Sequence, residues 1–247
     1  MNANFGLNLS KYYSINFDLP KRSKKKIIFI ILHYTGMKKE SAAIKRLCNP
    51  RSKVSSHYFV KNSGEILSLV PDLYEAWHAG VSSWQKIKSL NKYSIGIEIN
   101  NPGHDNGYKE FSSKQIFSLT KLIKYLVKKY NIKKQNILGH SDISPDRKKD
   151  PGEKFPWKKL AKKKLCKWHN LDEKKIGKFR NFKIKDLEEK KFFRNLCDIG
   201  YSKIAGKNIK IKKINLTRAF QRRFRQKLID GKIDQECLLI SNNLVKS

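Results

Sequence analysis

Apolar and polar positions along the chain fall into two periods. Residues 26–32 form a continuous Ile-rich run, the pattern of a strand buried on both faces, and the run stops at His33, Tyr34, Thr35 and Gly36. Residues 40–47 predict a short helix, limited by Pro50. Two runs, 58–61 and 65–70, flank Asn62, Ser63 and Gly64, and this turn composition predicts a β-hairpin. Ser94–Ile99 alternates, with Ile95, Ile97 and Ile99 on one face and Gly96, Glu98 and Asn100 on the other. The spacing of Ile116, Leu119, Ile123, Leu126, Val127 and Tyr130 predicts a helix over residues 111–130. A Ser112/Gln115 capping box opens it and Asn131 stops it. Residues 136–138 predict one more strand, ending at Gly139 and His140.

Strands mixed with helices predict an α/β domain with a mixed central β-sheet flanked by helices. Over residues 158–185 the chain turns Lys-rich and loses its period, as a linker or a peripheral helix does. Beyond it, Asp186–Ile199, residues 216–227 and residues 236–245 predict three helices, the first with Asp186 as N-cap. The expected organisation is residues 1–160 as a catalytic domain, 161–175 as a linker and 176–247 as a small C-terminal three-helix domain.

Composition adds limits. Apolar residues make up 39% of 247, enough for a core, yet no run approaches the roughly 18–20 apolar residues that span a bilayer, so no transmembrane segment is expected. Lys24, Lys25 and Lys26 precede the Ile run as in an export signal, but that run is short, starts late and lacks a small-residue cleavage site. The expected location is therefore the cytoplasm, with the cell envelope as the alternative. The net charge of +34 attracts polyanions. Only ten of the 55 cations are Arg, the better bidentate phosphate ligand, which speaks against a dedicated nucleic-acid reader. The one local hint of such a reader is Phe220-Gln221-Arg222-Arg223-Phe224-Arg225, and no nucleic-acid partner is expected. The four Cys form no CxxC pair, so neither a zinc knuckle nor a redox motif is indicated. No pattern specifies an oligomeric state.

His33 and His140 lie just past predicted strand ends, where the loops of α/β sheets build functional sites. Pro151 restricts Asp150 to an extended conformation, from which the loop can fold back toward His140. Two imidazoles and a carboxylate suit Zn²⁺ and leave a fourth position for water, whose pKa then falls toward about 7. Lys148, two residues before Asp150, points the same way in an extended stretch and is placed to meet a developing oxyanion. Glu98 is a general base if its strand face lines the site. Each residue also has a plainer reading: a satisfied strand-end imidazole, a surface Lys, a solvent-facing strand Glu.

Five motifs occur in order over residues 26–160: Ile31-Leu32-His33-Tyr34-Thr35, Ser55-Ser56-His57-Tyr58-Phe59-Val60, Ala76-Trp77-His78-Ala79-Gly80, Gly96-Ile97-Glu98-Ile99, and the run from Gly139-His140 to Asp150-Pro151-Gly152 with Phe155-Pro156-Trp157. Together they resemble the type-2 N-acetylmuramoyl-L-alanine amidase family, zinc enzymes that share their fold with peptidoglycan recognition proteins. The resemblance implies His33, His140 and Asp150 as zinc ligands, Glu98 as the catalytic glutamate and Lys148 as the lysine that stabilises the tetrahedral intermediate. It implies peptidoglycan or a muropeptide as substrate, cut between the lactyl carbonyl of muramic acid and L-alanine. Where phage relatives carry a catalytic tyrosine this chain has Ser56, so the glutamate-dependent branch fits better. Tyr34, His57, Trp77, His78 and Asn100 are the candidate substrate-binding residues, with core packing as the alternative for Trp77 and for His57. His104 reads as a surface residue.

Residues 196–201, 216–221 and Asp230-Gly231 resemble a small three-helix peptidoglycan-binding domain. The Lys-rich loop 202–215 departs from it, so a helical piece that merely packs against the catalytic part is an equal alternative. A second functional reading is a non-catalytic peptidoglycan-recognition module, as in relatives that have lost a metal ligand; here the ligand set is complete.

Overall fold

The computed structural model describes residues 12–246. The first eleven residues, which open the expected catalytic domain, and Ser247 lie outside the described residues. The strands are β1 (Phe17–Asp18), β2 (Phe29–Tyr34), β3 (Tyr58–Val60), β4 (Ile66–Ser68), β5 (Glu75–Ala76), β6 (Ser83–Trp84), β7 (Ile87–Lys88), β8 (Ser94–Ile99) and β9 (Ile137–Gly139). The helices are α1 (Glu40–Cys48), α2 (Ser113–Tyr130), α3 (His140–Ile143), α4 (Trp157–Lys162), α5 (Glu173–Ile176), α6 (Asp186–Ile199), α7 (Ile209–Phe224) and α8 (Gln235–Lys246).

Five strands form the central sheet in the order β4-β3-β8-β2-β9. β3, β8, β2 and β9 run parallel, while β4 closes the β3 hairpin antiparallel, so the sheet is mixed and helices flank it, as expected. Alternation along the strands decides what covers each face. Ile30 and Leu32 of β2 and Ile95, Ile97 and Ile99 of β8 pack on the rear face against Leu119, Leu122, Ile123 and Leu126 of α2. That helix starts with the expected box: Ser112 Oγ accepts from Gln115 N at 3.1 Å and Gln115 Oε1 accepts from Ser112 N at 3.0 Å. Asn131, left-handed at φ 53°, ends it.

The front face is divided between two covers. Phe29 and Ile31 of β2 and Leu138 of β9 pack against Phe192, Leu196, Phe220 and Leu244 of the C-terminal helices. Phe59 and Leu67, from the hairpin, pack under Ala43, Ile44 and Leu47 of α1. Between these two blocks, at the C-terminal ends of the parallel strands, His33 and Glu98 stand opposite each other in register.

Several local expectations need correction. α7 begins at Ile209, seven residues before the predicted 216, and stops at Phe224. Its first turns carry Ile209 and Ile211 exposed, so no apolar stripe announces them. The N-cap of α6 is Lys185, and Asp186 is already helical; Glu188 accepts from Lys185 N at 2.8 Å instead. The Lys-rich 158–185 stretch contains α5 and most of α4, and it buries Leu160, Leu165, Cys166 and Ile176. Arg223 and Arg225, from the basic-aromatic run, are 2% and 3% exposed, so those two cations are spoken for inside the protein. Among the described residues no helix is long and apolar enough to cross a membrane.

Candidate functional site

His33 lies near the end of β2, and His140 opens α3 directly after β9. Asp150 returns to them because Ser141 N donates to its carbonyl at 2.8 Å, which closes the loop between. Gly139 permits the return: a Cβ there would stand 2.7 Å from Pro151 Cδ. The result is a triangle of buried donors. His33 Nδ1 and His140 Nδ1 are 2.9 Å apart, and Asp150 Oδ2 lies 3.0 Å from the first and 3.1 Å from the second.

Hydrogen bonds behind the triangle assign the tautomers. His140 Nε2 faces the Ala79 carbonyl at 3.0 Å, which can only accept, so Nε2 carries the proton and Nδ1 the lone pair. Ser94 Oγ donates to the Leu90 carbonyl at 2.6 Å and so accepts from His78 Nε2 at 3.2 Å. His78 Nδ1 then accepts from His33 Nε2 at 3.1 Å, and the Nδ1 of His33 is also bare. Burial, helped by His140, lowers the His33 pKa to about 4, so the ring is neutral at pH 7.

Two imidazole lone pairs and a carboxylate oxygen thus converge with no proton to share. That arrangement suits a cation. Donors about 2.0–2.1 Å from a tetrahedral zinc are about 3.3 Å apart, and the observed edges need only a few tenths of an ångström of expansion. His33, His140 and Asp150 form the one group of three such donors among the described residues.

The triangle opens on a cleft of about 440 Å³ whose wall includes Tyr34, Trp77, Glu98, Arg147 and Lys148. Glu98 Oε2 is closed to water and has no hydrogen-bond partner. Burial lifts its carboxyl well above the ordinary value; the charge of Asp150 adds to this and that of Lys148 opposes it. Such a carboxyl holds a proton more readily than an exposed one, as a group that takes and returns a proton must.

The other expected site residues separate into two groups. Tyr34 and Trp77 line the cleft, with Trp77 Nε1 donating to Asp18 Oδ1 at 2.9 Å. His78 borders it but engages both ring nitrogens with His33 and Ser94. Its ring lies on Gly96, where a Cβ would come within 2.3 Å. His57 and Asn100 do not line this cleft. His57 is fully buried: Nδ1 accepts from Gly96 N at 3.0 Å and Nε2 contacts Arg22 Nη2 and the Tyr74 carbonyl. Asn100 is 4% exposed and its Oδ1 accepts from Thr35 Oγ1 at 3.3 Å.

Sequence reasoning passed over two residues here. His104, read as a surface residue, bridges Tyr34 Oη at 2.8 Å and Glu153 Oε2 at 3.1 Å, stacked on Tyr108. Arg147 Nη2 donates to the Val81 carbonyl at 2.7 Å and more weakly to that of Ala79 at 3.3 Å, bracing the loop that anchors His140. Backbone carbonyls as partners leave no sequence signature.

The profile of the N-acetylmuramoyl-L-alanine amidase family matches residues 23–153. N-acetylmuramoyl-L-alanine amidase AmiD of Escherichia coli is 30% identical over 233 residues, 90% of this chain and 83% of that protein. The 1,6-anhydro-N-acetylmuramyl-L-alanine amidase AmpD of the same organism is 41% identical over 106 residues, 42% of this chain and 55% of AmpD. In three dimensions, E. coli AmiD, solved with the substrate anhydro-N-acetylmuramic acid-L-Ala-D-gamma-Glu-L-Lys, matches with a TM-score of 0.79 at 29% identity, covering 93% of this chain and 92% of that one. AmpDh3 from Pseudomonas aeruginosa, solved with an anhydromuramic pentapeptide, matches at 0.78 and 29%, covering 93% and 95%.

Proposed function

Because this chain belongs to the N-acetylmuramoyl-L-alanine amidase family, and is therefore an amidohydrolase, we propose that it is a zinc enzyme that cuts the amide between the lactyl carbonyl of muramic acid and L-alanine in muropeptides. His33, His140 and Asp150 would hold the ion. The observation that carries the zinc reading is their triangle of 2.9, 3.0 and 3.1 Å, with each imidazole offering Nδ1 unprotonated. When bound, zinc supplies Lewis acidity for the scissile carbonyl and lowers the pKa of an attacking water.

The remaining work falls to the chain's own groups. Glu98, desolvated and facing the same cleft, takes the proton of the water and returns it to the leaving amine nitrogen. Lys148, on the cleft wall, places its ammonium where negative charge builds on the carbonyl oxygen. Tyr34 and Trp77 offer walls for sugar or peptide. The substrates carried by AmiD and AmpDh3 support an anhydromuropeptide as the first substrate to try. The same reading takes residues 1–160 as the catalytic part and 176–247 as a helical part of peptidoglycan-binding type. A recognition-only module would have no use for Glu98 and Lys148 beside a complete donor set.

The test is product analysis by mass spectrometry after digestion of an anhydromuropeptide. Free L-alanine-headed peptide and peptide-free anhydromuramyl sugar are expected, with loss of both after chelation and recovery on adding zinc. Full turnover by metal-stripped protein would remove zinc from the proposal, and an intact substrate with zinc-loaded protein would remove the amidase activity.

A further inference from the structure

We propose that Arg223 and Tyr201, both from the C-terminal helical part, are positioning residues for the metal ligand His140; the inference rests on the zinc reading above. Asp142 lies two residues past His140 on α3, with its side chain 1% exposed. Its Oδ2 accepts from Gly139 N at 2.8 Å and from Arg223 Nη1 at 2.6 Å, and its Oδ1 accepts from Tyr201 Oη at 2.8 Å. The second arm of Arg223, Nη2, donates to the Ile137 carbonyl at 2.9 Å. Its guanidinium lies over the Trp157 ring, 4.1 Å from the centroid.

Ile137 and Gly139 are the first and last residues of β9, and His140 follows at once. One guanidinium therefore grips both ends of the strand that delivers the ligand, directly at Ile137 and through Asp142 at Gly139. α3 is a four-residue helix with little rigidity of its own. Its orientation is set by these contacts from behind and by the His140–Ala79 bond in front. A fully buried ion pair is weak evidence for stability, since an apolar pair of the same volume often does as well. What it supplies is direction: the planar fork of Arg holds two acceptors at fixed angles, which neither Lys nor a hydrocarbon does.

The experiment uses the full chain as wild type, R223K, R223M and Y201F, with F220A as control. Phe220 is fully buried on the same helix and packs in the cluster that includes Leu138 of β9, but it makes no hydrogen bond or ion pair to Asp142, so F220A loosens the apolar packing and leaves the polar clamp in place. Zinc affinity is read by competition with a chromophoric chelator, coordination geometry by the absorption bands of the cobalt(II)-loaded protein, and folding by the melting temperature of the metal-free form. Outer partners of metal ligands commonly change affinity by about 10–100-fold. The expected result is about tenfold or greater weakening in R223M with altered cobalt bands. R223K should fall between R223M and wild type, Y201F should weaken less, and F220A should melt lower at wild-type affinity. If R223M does not fold, R223K and Y201F decide. Wild-type affinity and spectra in all folded clamp variants, or equal weakening in F220A, would overturn the proposal. A wild-type chain that binds no zinc would instead overturn the metal site itself.

Discussion

The Nε2–H of His33 points at Nδ1 of His78 across 3.1 Å, and His78 is held in turn by Ser94. This bond, between residues 45 positions apart, turns the bare nitrogen of His33 toward His140 and Asp150. Replacing His78 by Phe keeps the ring bulk and removes the acceptor. The expected outcome is zinc affinity weaker by about 10–100-fold, read by chelator competition. An unchanged dissociation constant would take His78 out of the site.

Glu98→Gln should keep zinc, one per chain, and lose about 10²–10⁴-fold in kcat on an anhydromuropeptide. Its melting temperature should equal or exceed that of wild type, because the carboxylate oxygen it replaces is buried without a partner. Metal analysis, steady-state kinetics and a thermal melt check the three parts together. Wild-type turnover would exclude Glu98 from proton transfer.

Lys148→Met should lower kcat by about 10²–10³-fold, the usual cost of one oxyanion donor, and change KM much less. A variant with raised KM and normal kcat would instead mark Lys148 as a binding residue.

Asp72 provides a pH prediction away from His33, His140 and Asp150. Its Oδ2 accepts from Lys129 Nζ at 2.7 Å and Tyr130 Oη at 2.6 Å, and its Oδ1 accepts from Tyr58 Oη at 2.6 Å. Burial would raise this carboxyl, but Lys129 and the two hydroxyls outweigh it and the pKa is lowered. A depressed carboxylate contributes stability that is fully present above its unfolded pKa of about 3.9 and is lost as pH falls through the folded value. Asp72→Asn should therefore melt below wild type from pH 7 to 5, by an amount on the order of 2 kcal/mol. The gap should shrink below about pH 4. A gap that widened on acidification would contradict the sign.

Short-range patterns make much of this molecule readable from its sequence. The alternation over Ser94–Ile99 and the Ser112/Gln115 box are local, and both recur as expected in β8 and α2. The strand-end positions of His33 and His140 also follow from periodicity. The rest depends on partners far apart in the chain. Arg223 reads as one more cation in a basic-aromatic run, because Asp142 stands 81 positions away. His57 and Asn100 sit inside or beside site motifs, yet the Gly96 amide and Arg22 engage His57, and Thr35 engages Asn100. α7 hides its start because its first apolar residues face solvent.

The divided front face of the sheet has one more consequence. Phe29, Ile31 and Leu138 rest directly against the C-terminal helices. Severing the polypeptide near residue 170 would lay those side chains open to water, and the fragment would tend to clump. An evolutionary exchange of the last third for an unrelated anchoring module would have to bring its own greasy underside and a substitute for Arg223. In this chain the last third thus completes the core of the sheet rather than hanging from it.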